Sequence, residues 1–152
     1  MTERRKTNYI VVHCTATKPD MDIDAEWIRK IHRGQGWLDI GYHKVIKRDG
    51  TVENGRDLNN VGAHVKGHNS HSIGIALVGG VDNDMKAEDN YTDKQFSALQ
   101  MLLLSLAKDY PNAEIVGHRD LDNRKECPSF DVKSWVKHNI DLNVTPPSDV
   151  EI

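Results

Sequence analysis

Two short β-prone runs, Tyr42 to Lys47 and Thr51 to Glu53, flank the dipeptide Asp49-Gly50, which accepts positive φ and closes a tight hairpin. A hairpin forces its two strands to run antiparallel. Elsewhere strand and helix signals alternate, an order that builds parallel pairs through helical crossovers. The sheet must therefore be mixed. The predicted fold is a single α/β domain with a central mixed β-sheet flanked by helices. The chain has 152 residues, and a domain of that size buries roughly 68–70% of its unfolded surface. No repeat or second domain is visible.

The remaining elements follow from local patterns. Tyr9 to Cys14 is a β-branched run that reads as a buried strand, with His13 near its C-terminal end. Asp24 caps a helix to about Gly34, with Ile23 and Ile28 spaced as a hydrophobic staple and Trp27 and Ile31 on one face. Gly62 to Ser72, rich in glycine and histidine, is a loop expected to line a cleft, and Ile73 to Val78 resumes an apolar strand ending at Gly79-Gly80. Thr92 and Gln95 form a capping box, Tyr91 and Phe96 a staple, and Phe96, Leu99, Leu103 and Leu106 recur at helical spacing to about Asp109. Glu114 to Gly117 is a short strand leading into His118, and Val132, Trp135 and Val136 mark a closing helix before Pro146-Pro147. The expected organisation is a flexible arm at 1–8, the domain at 9–140 and a polar tail at 141–152.

A net charge of -3 and a pI near 6.2 argue against nucleic acid as a partner, which calls for a basic surface. Arg4, Arg5 and Lys6 read as a mobile, solvated cluster. No apolar stretch of signal-peptide or membrane-spanning length follows them, since Tyr9 to Val12 is interrupted by His13. Cys14 and Cys127 are too few for a disulfide framework. A chain made in a reducing cytosol is expected.

Catalytic zinc takes three protein ligands from His, Cys or carboxylate and keeps a fourth position open. No His-Glu-x-x-His helix is present, so a site must be assembled from segments distant in sequence. His13 and His118 each follow apolar strand residues. Cys127, between Lys125 and Pro128, reads as a loop thiol whose thiolate a nearby cation favours. Cys14 should point to the opposite face of the sheet from His13 and sit in the core. His64, His68 and His71 lie among glycines in an irregular loop, which disfavours a second metal site.

Val12-His13-Cys14-Thr15-Ala16-Thr17, Gly41-Tyr42-His43, Gly62-Ala63-His64, His68-Asn69 with Ser72-Ile73-Gly74-Ile75, and Gly117-His118-Arg119-Asp120 leading to Lys125-Glu126-Cys127-Pro128 stand in one order over about Tyr9 to Trp135. This series resembles the N-acetylmuramoyl-L-alanine amidase family, whose fold peptidoglycan recognition proteins share. Gln35-Gly36-Trp37-Leu38-Asp39, Ile46 to Val52 and Cys127-Pro128-Ser129-Phe130 are similar to the amidase-type phage lysozymes within it. The resemblance implies one Zn2+ held by His13, His118 and Cys127, with Tyr42 and Lys125 as catalytic partners, and cleavage of the bond between N-acetylmuramic acid and L-alanine in peptidoglycan. Lys125 would stabilise the oxyanion, and Tyr42 would orient water or pass a proton to the leaving amine. Trp37, His64 and Asn69 are candidate substrate contacts, with packing or a solvated loop as the plainer readings.

The resemblance further implies a monomeric endolysin, made in the host cytoplasm and reaching the wall through a separate membrane-permeabilising protein. Alternatives within the same likeness are a peptidoglycan-binding module without catalysis and a regulator that also binds phage RNA polymerase. Leu121-Asp122-Asn123-Arg124 departs from the family pattern by lacking a proline-glycine turn before the lysine.

Overall fold

Side chains alternate between the two faces of a strand, and both faces of this sheet are covered. The computed structural model describes residues 1–141; the expected tail around Pro146 lies outside the described residues. Five strands, β1 (Tyr9–Cys14), β2 (Lys44–Ile46), β3 (Val52–Asn54), β4 (Ser72–Leu77) and β5 (Glu114–Gly117), form one sheet in the order β3-β2-β4-β1-β5. β1, β2, β4 and β5 are mutually parallel, and only β3 runs antiparallel, against β2. The hairpin is closed by Gly50 N donating to Lys47 O and Lys47 N donating to Thr51 O, with Gly50 at φ 88°. Tyr42 lies outside the hairpin strand, which begins at Lys44.

Ile10 and Val12 of β1 and Ile73, Ile75 and Leu77 of β4 pack with Leu99, Leu102, Leu103 and Leu106 of helix α2 (Asp93–Asp109) and with Val132 of helix α4 (Val132–Asn139). On the other face, Ala25 and Ile28 of helix α1 (Ala25–Gly34) meet Ile23, Ile40, Val45 and Val78. That face of β4 carries Ser72, Gly74 and Ala76, registered with Tyr9, Val11 and His13 of β1. Small residues on one strand leave room above it for the rings carried by its neighbours. A helix the sequence reading lacks, α3 (His118–Leu121), is a single turn whose cap residue Gly117 donates its N–H to Asp120 Oδ2 at 2.7 Å.

Two expectations change. Trp27 and Ile31 are each 40% exposed, so the apolar face of α1 that packs on the sheet is the one through Ala25 and Ile28. Arg4 is buried rather than solvated: its Nε donates to Thr7 Oγ1 at 2.8 Å, its Nη1 donates to Leu58 O, and its guanidinium lies 5.5 Å from the Tyr110 ring centre. Arg5 and Lys6 are exposed.

Gln95 ties α2 to the sheet. It is fully buried, donates from Nε2 to Ile46 O at 3.1 Å and Val78 O at 2.9 Å, and accepts from Thr92 N at 3.0 Å. Leucine there keeps the volume but strands the Val78 carbonyl and the Thr92 N–H and takes from Ile46 O one of the two bonds it accepts, the other coming from Val78 N, at a cost of about 2–4 kcal/mol. Gln95→Leu should lower the melting temperature by roughly 5–15 °C. Calorimetry finding a shift under about 2 °C would show that the clamp contributes nothing.

Candidate metal centre and cleft

His13 is the fifth residue of β1 and shares the cleft face with Val11; His118 opens α3, directly after β5; Cys127 lies in the loop that follows α3. The parallel pairing of β1 with β5 brings the two histidines together. One donor atom from each of His13, His118 and Cys127 lies within 4.8 Å of the others. The two histidine Nδ1 atoms are 3.1 Å apart, close to the roughly 3.3 Å that two nitrogens at tetrahedral zinc bond lengths would subtend. Two imidazoles and a thiol form a donor set suited to zinc. The residues fit the ion. Among the described residues this is the one such trio.

The Cys127 loop is held mainly by bonds that do not involve its thiol. Arg119 N donates to Cys127 O at 2.9 Å, Tyr91 Oη to Pro128 O at 2.6 Å and Ser129 Oγ to Gly80 O at 2.8 Å. Cys14 is buried against Gly80 and Tyr91 on the α2 side, and its backbone N–H donates to Cys127 Sγ at 3.0 Å. Contact with the Cys14 thiol, then burial, pushes the Cys127 thiol up. A bound cation would reverse that preference.

Behind His13 stands a second ring. His13 Nε2 lies 2.8 Å from His64 Nδ1, and His64 Nε2 lies 3.2 Å from Ser72 Oγ. Burial, followed by the neighbouring histidines, pushes the His13 and His64 rings well below their ordinary range. Both are neutral at neutral pH. Burial also lowers His118, opposed by Asp122.

A cleft of about 470 Å³ runs past this centre, lined by Trp37, Tyr42, His64, Asn69, His118 and Lys125 among others. The candidate residues are thus all at one place, in two layers. Tyr42 lies beside His13, with ring centres 5.3 Å apart. Trp37, 40% exposed, packs against His32 with ring centres 4.4 Å apart and planes tilted by 50°, and lines the cleft. Asn69 commits its Oδ1 to His64 N and Val65 N, at 2.8 and 2.9 Å, and so shapes the loop that carries His64. A second cavity of about 390 Å³, lined by Thr15, Trp27, Ile31, Tyr42 and Met85 among others, adjoins the first at Tyr42 and His32.

The turn before Lys125 is built without proline or glycine. Lys125 N donates to Asp122 O at 3.1 Å, while the Asp122 carboxylate accepts from Arg124 Nε at 2.9 Å and Arg124 N at 3.1 Å. Those bonds hold the Asp122 carboxyl down to about 2. An aspartate-centred turn thus places Lys125 at the cleft rim.

His32 and Ser72 are site residues that sequence reasoning missed. His32 lies in the last turn of α1, where its Nδ1 accepts from Gly41 N at 2.9 Å. The signal for Ser72 was the Ser72, Gly74, Ala76 alternation, hidden inside an apolar run. His68 and His71 pack on Tyr9 at 5.8 and 5.9 Å, away from the trio.

Comparison with known proteins agrees with this fold. A family profile described as N-acetylmuramoyl-L-alanine amidase matches residues 3–130. The endolysin of Klebsiella phage KP32 is 51% identical over 138 residues, covering 91% of this chain and 91% of that protein. Among solved structures, the endolysin N-acetylmuramoyl-L-alanine amidase LysCS from Clostridium intestinale URNW superposes with a TM-score of 0.77 at 31% identity, covering 92% of this chain and 88% of that one. A bumblebee peptidoglycan recognition protein, PGRP-SA, gives a TM-score of 0.69 at 28% identity, over 94% and 87% of the two chains.

Proposed function

Since the chain belongs to the N-acetylmuramoyl-L-alanine amidase family, we propose that it is a zinc-dependent endolysin that hydrolyses the lactyl amide between N-acetylmuramic acid and L-alanine in peptidoglycan. The observation that carries this reading is the convergence of His13, His118 and Cys127 beside Tyr42 in a cleft that Lys125 also lines.

Zinc, when held by those three residues, supplies the acidified water and the Lewis acidity that amide hydrolysis needs near neutral pH. The chain's own side chains do the rest. Lys125 brings a cation to the cleft rim, where the carbonyl oxygen of a bound amide gathers negative charge. Tyr42 holds a proton at its hydroxyl, placed to orient the attacking water or to protonate the departing alanine amine. Trp37 presents a flat, amphipathic surface for glycan or peptide. Asn69 offers the cleft its remaining amide donors, and His64, with both ring nitrogens occupied, offers only its ring.

The complete trio supports turnover over binding alone, since a recognition module needs no open metal position. In the proposed role the protein is made in the host cytoplasm, acts as a monomer and meets the wall once a separate protein has permeabilised the membrane. Zinc-loaded protein incubated with intact peptidoglycan should release new L-alanine amino termini, identified by mass spectrometry, and a chelator should stop the release. Binding to the wall without new termini would sink the hydrolase reading in favour of recognition.

A further inference from the structure

The proton positions along Ser72, His64 and His13 can be assigned from one end. Ser72 Oγ lies 2.7 Å from His68 O, and a carbonyl only accepts, so the single hydroxyl hydrogen goes there. Ser72 Oγ must then accept from His64 Nε2, 3.2 Å away. A neutral imidazole has one N–H, which leaves His64 Nδ1 as a bare acceptor, 2.8 Å from His13 Nε2. His13 Nε2 therefore donates. Its Nδ1, the atom 3.1 Å from His118 Nδ1, keeps a free lone pair.

The surroundings reinforce this direction. His43, whose ring is 5.7 Å from that of His64, is itself fixed: its Nδ1 accepts from Gly74 N at 3.0 Å and its Nε2 donates to Asn60 O at 2.7 Å. It neither gives nor takes a proton in the chain. His64 lies against Gly74 and Gly62, where an added Cβ would sit 2.6 Å from His64 Cγ and 2.8 Å from His64 Cδ2. The glycines reserve the ring's place, and Asn69 pins the backbone beneath it.

We propose that Ser72 and His64 are positioning residues that lock His13 in its Nε2–H tautomer and so present Nδ1 as a ligand atom; this rests on the zinc reading above. The orienting group behind a metal-bound histidine is usually a carboxylate, a carbonyl or water. Here a neutral imidazole takes that place, so the ring is aimed without adding negative charge to the centre.

The test compares zinc affinity, by chelator competition, for wild type, His64→Ala, His64→Asn and Ser72→Ala proteins matched for folding by circular dichroism. His64→Ala should bind zinc roughly 10–100-fold more weakly. His64→Asn, whose Oδ1 replaces the acceptor at Nδ1, should stay within about threefold of wild type, and Ser72→Ala should lose about three- to tenfold. Histidine ring ¹⁵N resonances of the wild type read the tautomer directly, whether or not the alanine variant folds: His64 should carry its proton on Nε2. A proton on His64 Nδ1, or undiminished affinity in folded His64→Ala, overturns this inference alone. Wild-type protein that takes up no zinc overturns the metal reading and this inference with it.

Discussion

Cys127→Ala protein is expected to lose amidase kcat/KM by more than about 10³-fold while remaining folded, because an open catalytic zinc site has only three protein ligands to begin with. Cys127 supplies the sole sulfur of the trio. The main-chain bonds of its loop run through Cys127 O, and those of its neighbours through Pro128 O and Ser129 Oγ; none uses the thiol. The one bond that Sγ accepts from the main chain comes from Cys14 N, and its loss costs about 1 kcal/mol. Stability and activity should therefore separate. Zinc content by atomic absorption should fall from one ion per chain to a small fraction of that, and the release of L-alanine termini should stop, while the melting temperatures of the metal-free variant and metal-free wild type should differ by only a few degrees, roughly 2–4 °C. A variant that kept stoichiometric zinc and more than a tenth of wild-type turnover would remove Cys127 from the ligand set.

Elements set by neighbours in sequence were legible before the fold was seen. The Thr92 and Gln95 capping box forms as expected, because both partners lie within one turn. The Ile23 and Ile28 staple likewise enters one core cluster. Helix α3 was not legible, since four residues are too short for any period to register. Trp27 and Ile31 fit the apolar period of α1 yet wall a cavity, and periodicity cannot tell a core face from a cleft face. Arg4 reads as a surface charge until Leu58 O and Tyr110, far along the chain, are brought to it.

The site divides in the same way. No spacing rule links His13 to His118 and Cys127; the ordered motifs around them do, and the parallel pairing of β1 with β5 supplies the physical link. Ser72 stands among the ordered motifs but reads as the last residue of a loop, because Ile73 to Val78 reads as one continuous apolar run. Only the sheet register separates its small-residue face from its core face. His64 reads in the sequence as a contact for substrate, and the structure adds His13 and Ser72 as partners of its ring. A residue that acts through another carries no local signature of what it acts on.

Tyr42→Phe should lower kcat by roughly 10²–10³-fold, the usual contribution of a positioned proton donor, with zinc content and melting temperature unchanged. The ring of Tyr42 lies 5.3 Å from that of His13 and 5.7 Å from that of His32, and phenylalanine keeps both contacts. What it removes is the hydroxyl of a residue that lines both cavities. Burial, aided by the nearby cysteine thiols, pushes the Tyr42 phenol above its ordinary value. A raised phenol keeps its proton, so at neutral pH Tyr42 acts as a donor or an orienting group and not as a base. The wild-type kcat profile should accordingly show no limb assignable to this phenol below about pH 10. KM should move little, since the lost group acts on the reacting bond and the cleft walls stay in place. If Tyr42→Phe kept more than a third of wild-type kcat, the ring would be serving as packing for His13 and the proton would have to come from elsewhere in the cleft. A kcat loss accompanied by loss of zinc would instead make Tyr42 a support for the metal centre.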